Sequence, residues 1–358
     1  MSEAAADNEE HHAPKWLTWV TRISLVVGIG ALIATVWIVG PTTILHHLKQ
    51  IGWFFVVLVA IEMLSSVLDG LAIYFMAHGK GRPTMRESIV AQIAGRGVNS
   101  VTPGGNLGEA LKVGLLSKRC STRRIVAAVM YVGLIGVLLS FAVVSIGSAV
   151  TAFWFDMPGI ARAACLVGAV IAAGITVAII VLLRRGMLST LSNLLARIHI
   201  ISKKRRASWN KTLTEVDARL RGKDDGDYRR RAIACVAVSQ LLQKGLAYFT
   251  ILSAGYTMSP GQFLALLSAG VLIGWISTII PMGLGISEGG NAALFTLIGA
   301  PAALGLALAL ARRVNQVVFA AVGFVVLAAD RVGTHVHGRI TTRSAKPKAG
   351  FAKPRNAC

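Results

Sequence analysis

Six stretches of this chain are apolar over a length that can cross the hydrocarbon core of a membrane, which takes about 20 residues of helix. They are residues 17–39, 51–77, 125–150, 160–183, 232–255 and 302–329. Lipid offers no partner to an unpaired backbone amide or carbonyl, so long apolar spans must satisfy their backbone internally, as helices. The fold class that follows is all-α integral membrane, with about six spanning helices.

The net charge is +21, yet charged residues make up only 15% of the chain, so the positive charge sits in a few segments between apolar runs. Basic clusters beside spans follow the positive-inside rule and the pull of anionic headgroups. A nucleic-acid reader would need a soluble basic face or a recognisable motif, and the sequence has neither. No nucleic-acid partner is expected.

Charge also orients the chain. Lys80, Arg82 and Arg86 follow the second span and Lys118, Arg119, Arg123 and Arg124 precede the third, which puts those loops in the cytoplasm. Residues 40–50 and 151–159 carry little Lys or Arg, and Trp37, Trp53 and Trp154 sit where an interfacial aromatic belt belongs, so these loops face the periplasm. The 184–231 segment holds fourteen Lys or Arg and is cytoplasmic; its part from 188 to 201 suits a helix lying on the membrane surface. The start has no small-residue cleavage site after its apolar run, so the first span is retained. The expected location is the bacterial inner membrane, multi-pass, with both termini cytoplasmic.

With six spans returning the chain to the cytoplasm, the two remaining apolar regions, 88–117 and 260–299, must each leave on the side where they began. The first is interrupted by Asn99-Ser-Val-Thr-Pro-Gly-Gly-Asn106 and the second by Pro281-Met-Gly-Leu-Gly285. Each is expected to be a re-entrant hairpin, with Pro103, Gly104 and Gly105 breaking one and Pro281, Gly283 and Gly285 breaking the other. Irregular backbone at membrane depth is tolerated where it lines a wet cavity or is buried in protein. Paired Gly/Pro breaks in the two halves point to an inverted repeat around a midplane site. The expected organisation is a polar N-terminus (1–16), a membrane half (17–183) with the 88–117 hairpin, a basic linker (184–231), a second half (232–330) with the 260–299 hairpin, and a basic disordered tail (331–358).

A charge at mid-span costs about 2.5–3.5 kcal/mol on insertion scales, so intramembrane charges face a polar interior. Arg96, Glu109 and Lys112 flank the first break, Glu288 follows the second, and Arg312 and Arg313 lie near mid-depth of the last span. Lys244 and Gln240 share a helical face, and Glu62 and Asp69 are seven residues apart. Arginine's fork of donors suits phosphate, and half-helix N-termini add oriented N–H groups. The expected headgroup-binding set is Arg96, Asn99, Thr102, Lys112, Lys244, Arg312 and Arg313, with Glu109 and Glu288 as cavity carboxylates. Glu109 with Lys112, and Glu62 or Asp69 with an arginine, are alternatively structural ion pairs. Two adjacent arginines cannot both snorkel from mid-span, which favours a cavity role for at least one of Arg312 and Arg313.

No nucleophile elbow, HExxH, Walker loop or paired CxxC occurs, and Cys120, Cys165, Cys235 and Cys358 are far apart. No catalytic residue, metal site or cofactor is expected.

The motifs Asn99-x-x-Thr102-Pro103-Gly104-Gly105-x-x-Gly108-Glu109-x-x-Lys112 and Pro281-x-Gly283-x-Gly285-x-x-Glu288-Gly289 resemble the transmembrane, flippase-like domain of lysylphosphatidylglycerol synthases, across about residues 17–330. In bifunctional members a soluble aminoacyl-transferase domain follows; here a short basic tail does, so the resemblance implies a stand-alone member, some of which are associated with hopanoids. It implies translocation of a phospholipid or other envelope lipid between leaflets, with an anionic or aminoacylated phospholipid or a hopanoid as partner. The alternative is an integral-membrane enzyme or accessory subunit acting on hopanoid, polyisoprenoid or aminoacyl-phospholipid.

Overall fold

The computed structural model describes residues 52–79, 81–102, 107–117, 121–185, 226–277 and 285–344, the side chains at 182, 184–185 and 330–344 excepted. The expected first span, the N-terminal segment, most of the basic linker, the tail beyond 344, and Pro103, Gly104, Gly105, Pro281 and Gly283 lie outside the described residues.

Every regular element among the described residues is a helix: α1 Phe54–Met76, α2 Met85–Val101, α3 Leu107–Leu116, α4 Thr122–Trp154, α5 Gly159–Arg185, α6 Gly226–Ser253, α7 Pro260–Ser277, α8 Ile286–Leu297 and α9 Ala302–Ser344. Six are long and apolar enough to cross a membrane, namely α1, α4, α5, α6, α7 and the Ala302–Ala329 part of α9. The protein is a multi-pass, all-helical membrane protein. Five of these are expected spans. The sixth, α7, is the first arm of the expected second hairpin, and its 18 residues make about 27 Å of helix. The partner arm α8 has 12 residues, about 18 Å, and α3 has 10, about 15 Å, both too short to cross.

Local chemistry sets the helix ends at the breaks. Thr84 opens α2 with a capping box: its hydroxyl accepts from the Glu87 amide (3.2 Å) and its own amide donates to Glu87 Oε2 (2.8 Å). Thr102 ends α2 in an extended conformation, as a residue before proline must, and its hydroxyl donates back to the Val98 carbonyl at 2.9 Å. Gly285 caps α8 at φ +81°, a conformation that L side chains resist, while its amide donates to Glu288 Oε2 at 2.9 Å.

Most of the helix pairings survive one exchange of labels, the exception being α1–α2, whose image α6–α7 is not closely packed. Swapping α1 with α6, α2 with α7, α3 with α8 and α4 with α9 turns the α2–α9 packing into α7–α4, α2–α3 into α7–α8, α3–α4 into α8–α9, and α1–α4 into α6–α9, and all of these pairs touch. In α2–α9 and α7–α4 the close approaches run antiparallel. In α2–α9, Gly97 meets Gly323 and Ser100 Oγ donates to the Gln316 carbonyl; in α7–α4, Ser268 meets Gly147, and the Trp275 and Phe141 rings lie 4.6 Å apart. In the α2–α3 hairpin, Gly95 and Gly108 touch so closely that a Cβ on Gly108 would lie 1.9 Å from the Gly95 carbonyl oxygen. Two apolar cores lie beside these contacts: one joins α1, α2, α3, α4 and α6 through Ile73, Ala91, Leu116, Ile125 and Val236, and another joins α6, α7, α8 and α9 through Ile251, Leu266, Phe295 and Leu308. The outer face of α5 is exposed at Val167, Val170, Ile171 and Val177, as a lipid-facing helix requires.

Candidate functional site

The centre of the bundle is the crossing of α1 and α6. Ser65 and Ser239, each mid-helix and fully buried, face each other with their hydroxyl oxygens 2.9 Å apart, and Ser239 Oγ also donates to the Ser65 carbonyl at 3.1 Å. Small hydroxyl residues let two helix backbones approach and cross-link them by hydrogen bonds where water is absent. Two cavities flank this crossing.

The first, about 350 Å³, is lined by Glu62 of α1, Arg96 and Ser100 of α2, Gln243, Lys244 and Ala247 of α6, Gly270 of α7, and Arg312, Asn315 and Gln316 of α9. The second, about 300 Å³, is lined by Asp69 and Ile73 of α1, Gln92 of α2, Glu109 and Lys112 of α3, Gly133 and Ser140 of α4, Val236 and Gln240 of α6, and Trp275 of α7. Glu62 precedes Ser65 on α1 whereas Asp69 and Ile73 follow it. On the antiparallel α6 the order reverses, Lys244 following Ser239 and Val236 preceding it. The cavities therefore lie on opposite sides of the crossing along the bundle axis. The label exchange carries most of one cavity's helices onto the other's: α1, α2, α6 and α7 line both, with α9 in the first and α4 in the second, while α3 lines the second and its counterpart α8 does not line the first.

Arg96 stands between them. Its guanidinium reaches Glu62 Oε1 at 2.8 Å on the first-cavity side and Asp69 Oδ2 at 3.5 Å on the other, and donates to the hydroxyls of Ser65 (3.2 Å) and Ser66 (3.4 Å). Glu62 Oε2 also accepts from the Asn315 amide at 3.1 Å. One guanidinium thus serves two carboxylates two helical turns apart and two serine hydroxyls.

Lys112 and Glu109 form an i,i+3 pair at 2.7 Å, with Lys112 itself buried. Asn99 locks the two arms of the hairpin, its amide donating to Glu109 Oε1 at 3.1 Å and its carbonyl accepting from the Gly108 amide at 2.6 Å. Glu109 and Glu288 occupy the same place, third in the short helix after each break, where a carboxylate meets the positive end of the helix. Each takes a cation there: Lys112 for Glu109, and Arg313 for Glu288. Arg313 and Glu288 line neither of the two cavities.

A count of charges separates the expected ligands. Within the apolar stretches of the whole sequence the carboxylates are Glu62, Asp69, Glu109 and Glu288. Arg96 holds the first two, Lys112 the third and Arg313 the fourth. Arg312 and Lys244 remain, both lining the first cavity and neither paired with a carboxylate among the described residues. Among the described residues Lys244 Nζ reaches the Gln240 side-chain oxygen alone, at 3.5 Å. An unneutralised cation pair inside a membrane bundle is a strong place for an anion.

A family model described as Lysylphosphatidylglycerol synthase TM region matches residues 21–323. The chain belongs to this family. No curated protein and no solved structure matches the chain. Within this member of the synthase membrane-region family, the structure gathers Arg96, Lys244 and Arg312 at one cavity and Glu109 and Lys112 at the other, and ties Asn99 and Thr102 into the hairpin's own bonds. The residues that sequence reasoning left out of the site are Glu62, Asp69, Ser65, Ser239, Gln243 and Asn315. For the two acids a signal was present: a spacing of seven puts them on one helical face. For Ser65 and Ser239 there was none, since a single serine in a span is usually bonded to its own helix, as Ser66 is to the Glu62 carbonyl at 2.9 Å.

Proposed function

We propose that this protein translocates a phospholipid or other envelope lipid between the leaflets of the bacterial inner membrane, its headgroup crossing through the two cavities while its acyl chains stay in lipid. The observation that carries this is the pair Arg312 and Lys244, cations inside the bundle with no carboxylate partner among the described residues, at a cavity large enough for a phosphate headgroup.

The packing exchange supports reading the two halves as an inverted repeat, with α2–α3 and α7–α8 as hairpins entering from opposite faces. With the loops oriented by their charge, the first cavity faces the periplasm and the second the cytoplasm. Arg312 and Lys244 take the headgroup phosphate. Arg96 is the divider: held by Glu62, Asp69, Ser65 and Ser66, it closes the path at the crossing. A phosphate that takes the Arg96 donors now on Ser65 and Ser66 opens the path, while Glu62 and Asp69 keep their hold on the guanidinium. Glu109, Glu288, Lys112 and Arg313 neutralise one another at the helix starts and keep the hairpins folded.

The test is leaflet transfer of headgroup-labelled lipids in vesicles carrying the purified protein, beside Arg312→Ala. Protein-dependent transfer lost in the variant is the expected result. Full transfer by Arg312→Ala, or no transfer of any lipid together with loss of a lipid species in a deletion strain, would overturn the translocase in favour of an enzyme or accessory subunit.

A further inference from the structure

We infer that the headgroup taken by the first cavity is a phosphate ester carrying hydroxyl groups and no amino group, and that aminoacylated and ethanolamine headgroups are rejected. This rests on the translocase reading for its consequence in transport, but not for the selectivity of binding itself.

An ammonium group inside the membrane needs a carboxylate. The four carboxylates of the apolar stretches are all engaged: Glu62 by Arg96 and Asn315, Asp69 by Arg96, Glu109 by Lys112 and Asn99, and Glu288 by Arg313 and the Gly285 amide. At the first cavity an incoming ammonium would meet the two unpaired cations, Arg312 and Lys244, with only the occupied Glu62 to receive it. Like charges in a site of low dielectric repel strongly, and a lysyl headgroup brings two ammonium groups where a phosphate brings one charge of the matching sign.

A second observation says what else the headgroup carries. Asn315 is 8% exposed, its amide nitrogen is committed to Glu62, and its carbonyl oxygen is buried and accepts no hydrogen bond from the described residues. A buried acceptor without a donor is costly, and this one belongs to a residue lining the cavity. A hydroxyl on the headgroup alcohol supplies that donor without adding positive charge beside Arg312 and Lys244, between which the phosphate lies. The ligand class is a polyol phosphodiester.

The experiment is native mass spectrometry of the purified full-length protein in detergent, with equimolar phosphatidylglycerol, phosphatidylethanolamine and lysyl-phosphatidylglycerol of identical acyl chains. Retention of phosphatidylglycerol is expected to exceed either amino lipid by about tenfold, one charge-assisted contact's worth. Lys244→Glu, which adds a carboxylate beside Arg312, is expected to abolish that preference and improve lysyl-phosphatidylglycerol binding with the thermal midpoint retained. Asn315→Leu is expected to narrow the preference for phosphatidylglycerol over phosphatidylmethanol, which has the phosphate and lacks the hydroxyls. Equal or tighter binding of lysyl-phosphatidylglycerol by the unaltered protein would overturn the inference. So would a Lys244→Glu variant that is folded and unchanged in preference. Vesicle transfer separates the two failures: selective binding with no transfer sinks the translocase and leaves the selectivity, and equal transfer of both lipids does the reverse.

Discussion

Arg312 and Arg313 are neighbours in sequence, and removing either gives opposite results if their surroundings mean what the charge count says. Arg313 is the partner of Glu288, with side chains 13% and 21% exposed, and its loss leaves that carboxylate facing the helix start alone. Breaking a buried pair from one side costs about 3–5 kcal/mol; the retained Gly285 amide and partial exposure of Glu288 bring the figure for Arg313→Ala to about 2–3 kcal/mol. Arg312 has no carboxylate, so Arg312→Ala removes a desolvation cost of up to about 2.5–3.5 kcal/mol, reduced because the side chain borders a cavity. Its stability is expected to be unchanged or raised by about 1 kcal/mol. Thermal unfolding of both variants in one detergent gives the order Arg313→Ala below the unaltered protein and Arg312→Ala at or above it. Leaflet transfer gives the reverse order, lost in Arg312→Ala and retained by the folded fraction of Arg313→Ala. An Arg312→Ala variant destabilised as much as Arg313→Ala would show that Arg312 is structural, and its headgroup role would fall with it.

Arg96→Met strands two carboxylates at once and is expected to cost about 3–5 kcal/mol, most of it recovered when Glu62→Gln and Asp69→Asn are added. That neutral triple variant, refolded but without a divider, should transfer lipid faster and less selectively, and a triple variant as unstable as Arg96→Met would refute the shared-guanidinium account. Gly108→Ala places a methyl 1.9 Å from the Gly95 carbonyl oxygen, so the hairpin arms must part, at a cost of about 1–3 kcal/mol or more seen as a lowered unfolding midpoint.

The membrane architecture was legible because length and hydropathy act locally: a run such as Ile125–Val150 leaves a chain no alternative to a helix. The short arms α3 and α8 were legible for the opposite reason, since proline and glycine end helices wherever they stand. At α7 the sequence pattern and the helix length differ: the segment is expected as one arm of a hairpin, and its 18 apolar residues reach spanning length. Of the ion pairs, Glu109–Lys112 could be read from its spacing of three, whereas Arg96 with Glu62 and Asp69 joins residues about thirty apart, through the packing of α1 on α2. Nothing local distinguishes Arg312 from Arg313. Successive helical residues point about 100° apart, so one faces α8 and the other the cavity, and only the placement of α8 decides which.

Most helix pairings repeat under the exchange of labels, but the charges do not, and the difference bears on direction. The crossing serines Ser65 and Ser239 are alike, yet α1 carries two carboxylates where α6 carries Lys244, α2 carries Arg96 where α7 carries no charge, and α9 carries two arginines at mid-depth where the body of α4 carries none. A symmetric scaffold with symmetric charge would hold an anionic headgroup equally well on either side of the crossing. Here both unpaired cations lie at the first cavity, while at the second Lys112 is neutralised by Glu109. In the proposed translocase the headgroup is therefore held more tightly on one side than on the other, and a ligand shifts a two-state equilibrium only by its difference in affinity for the two states. Anionic lipid should accumulate with its headgroup in the first cavity, and release from that cavity should limit the rate in both directions.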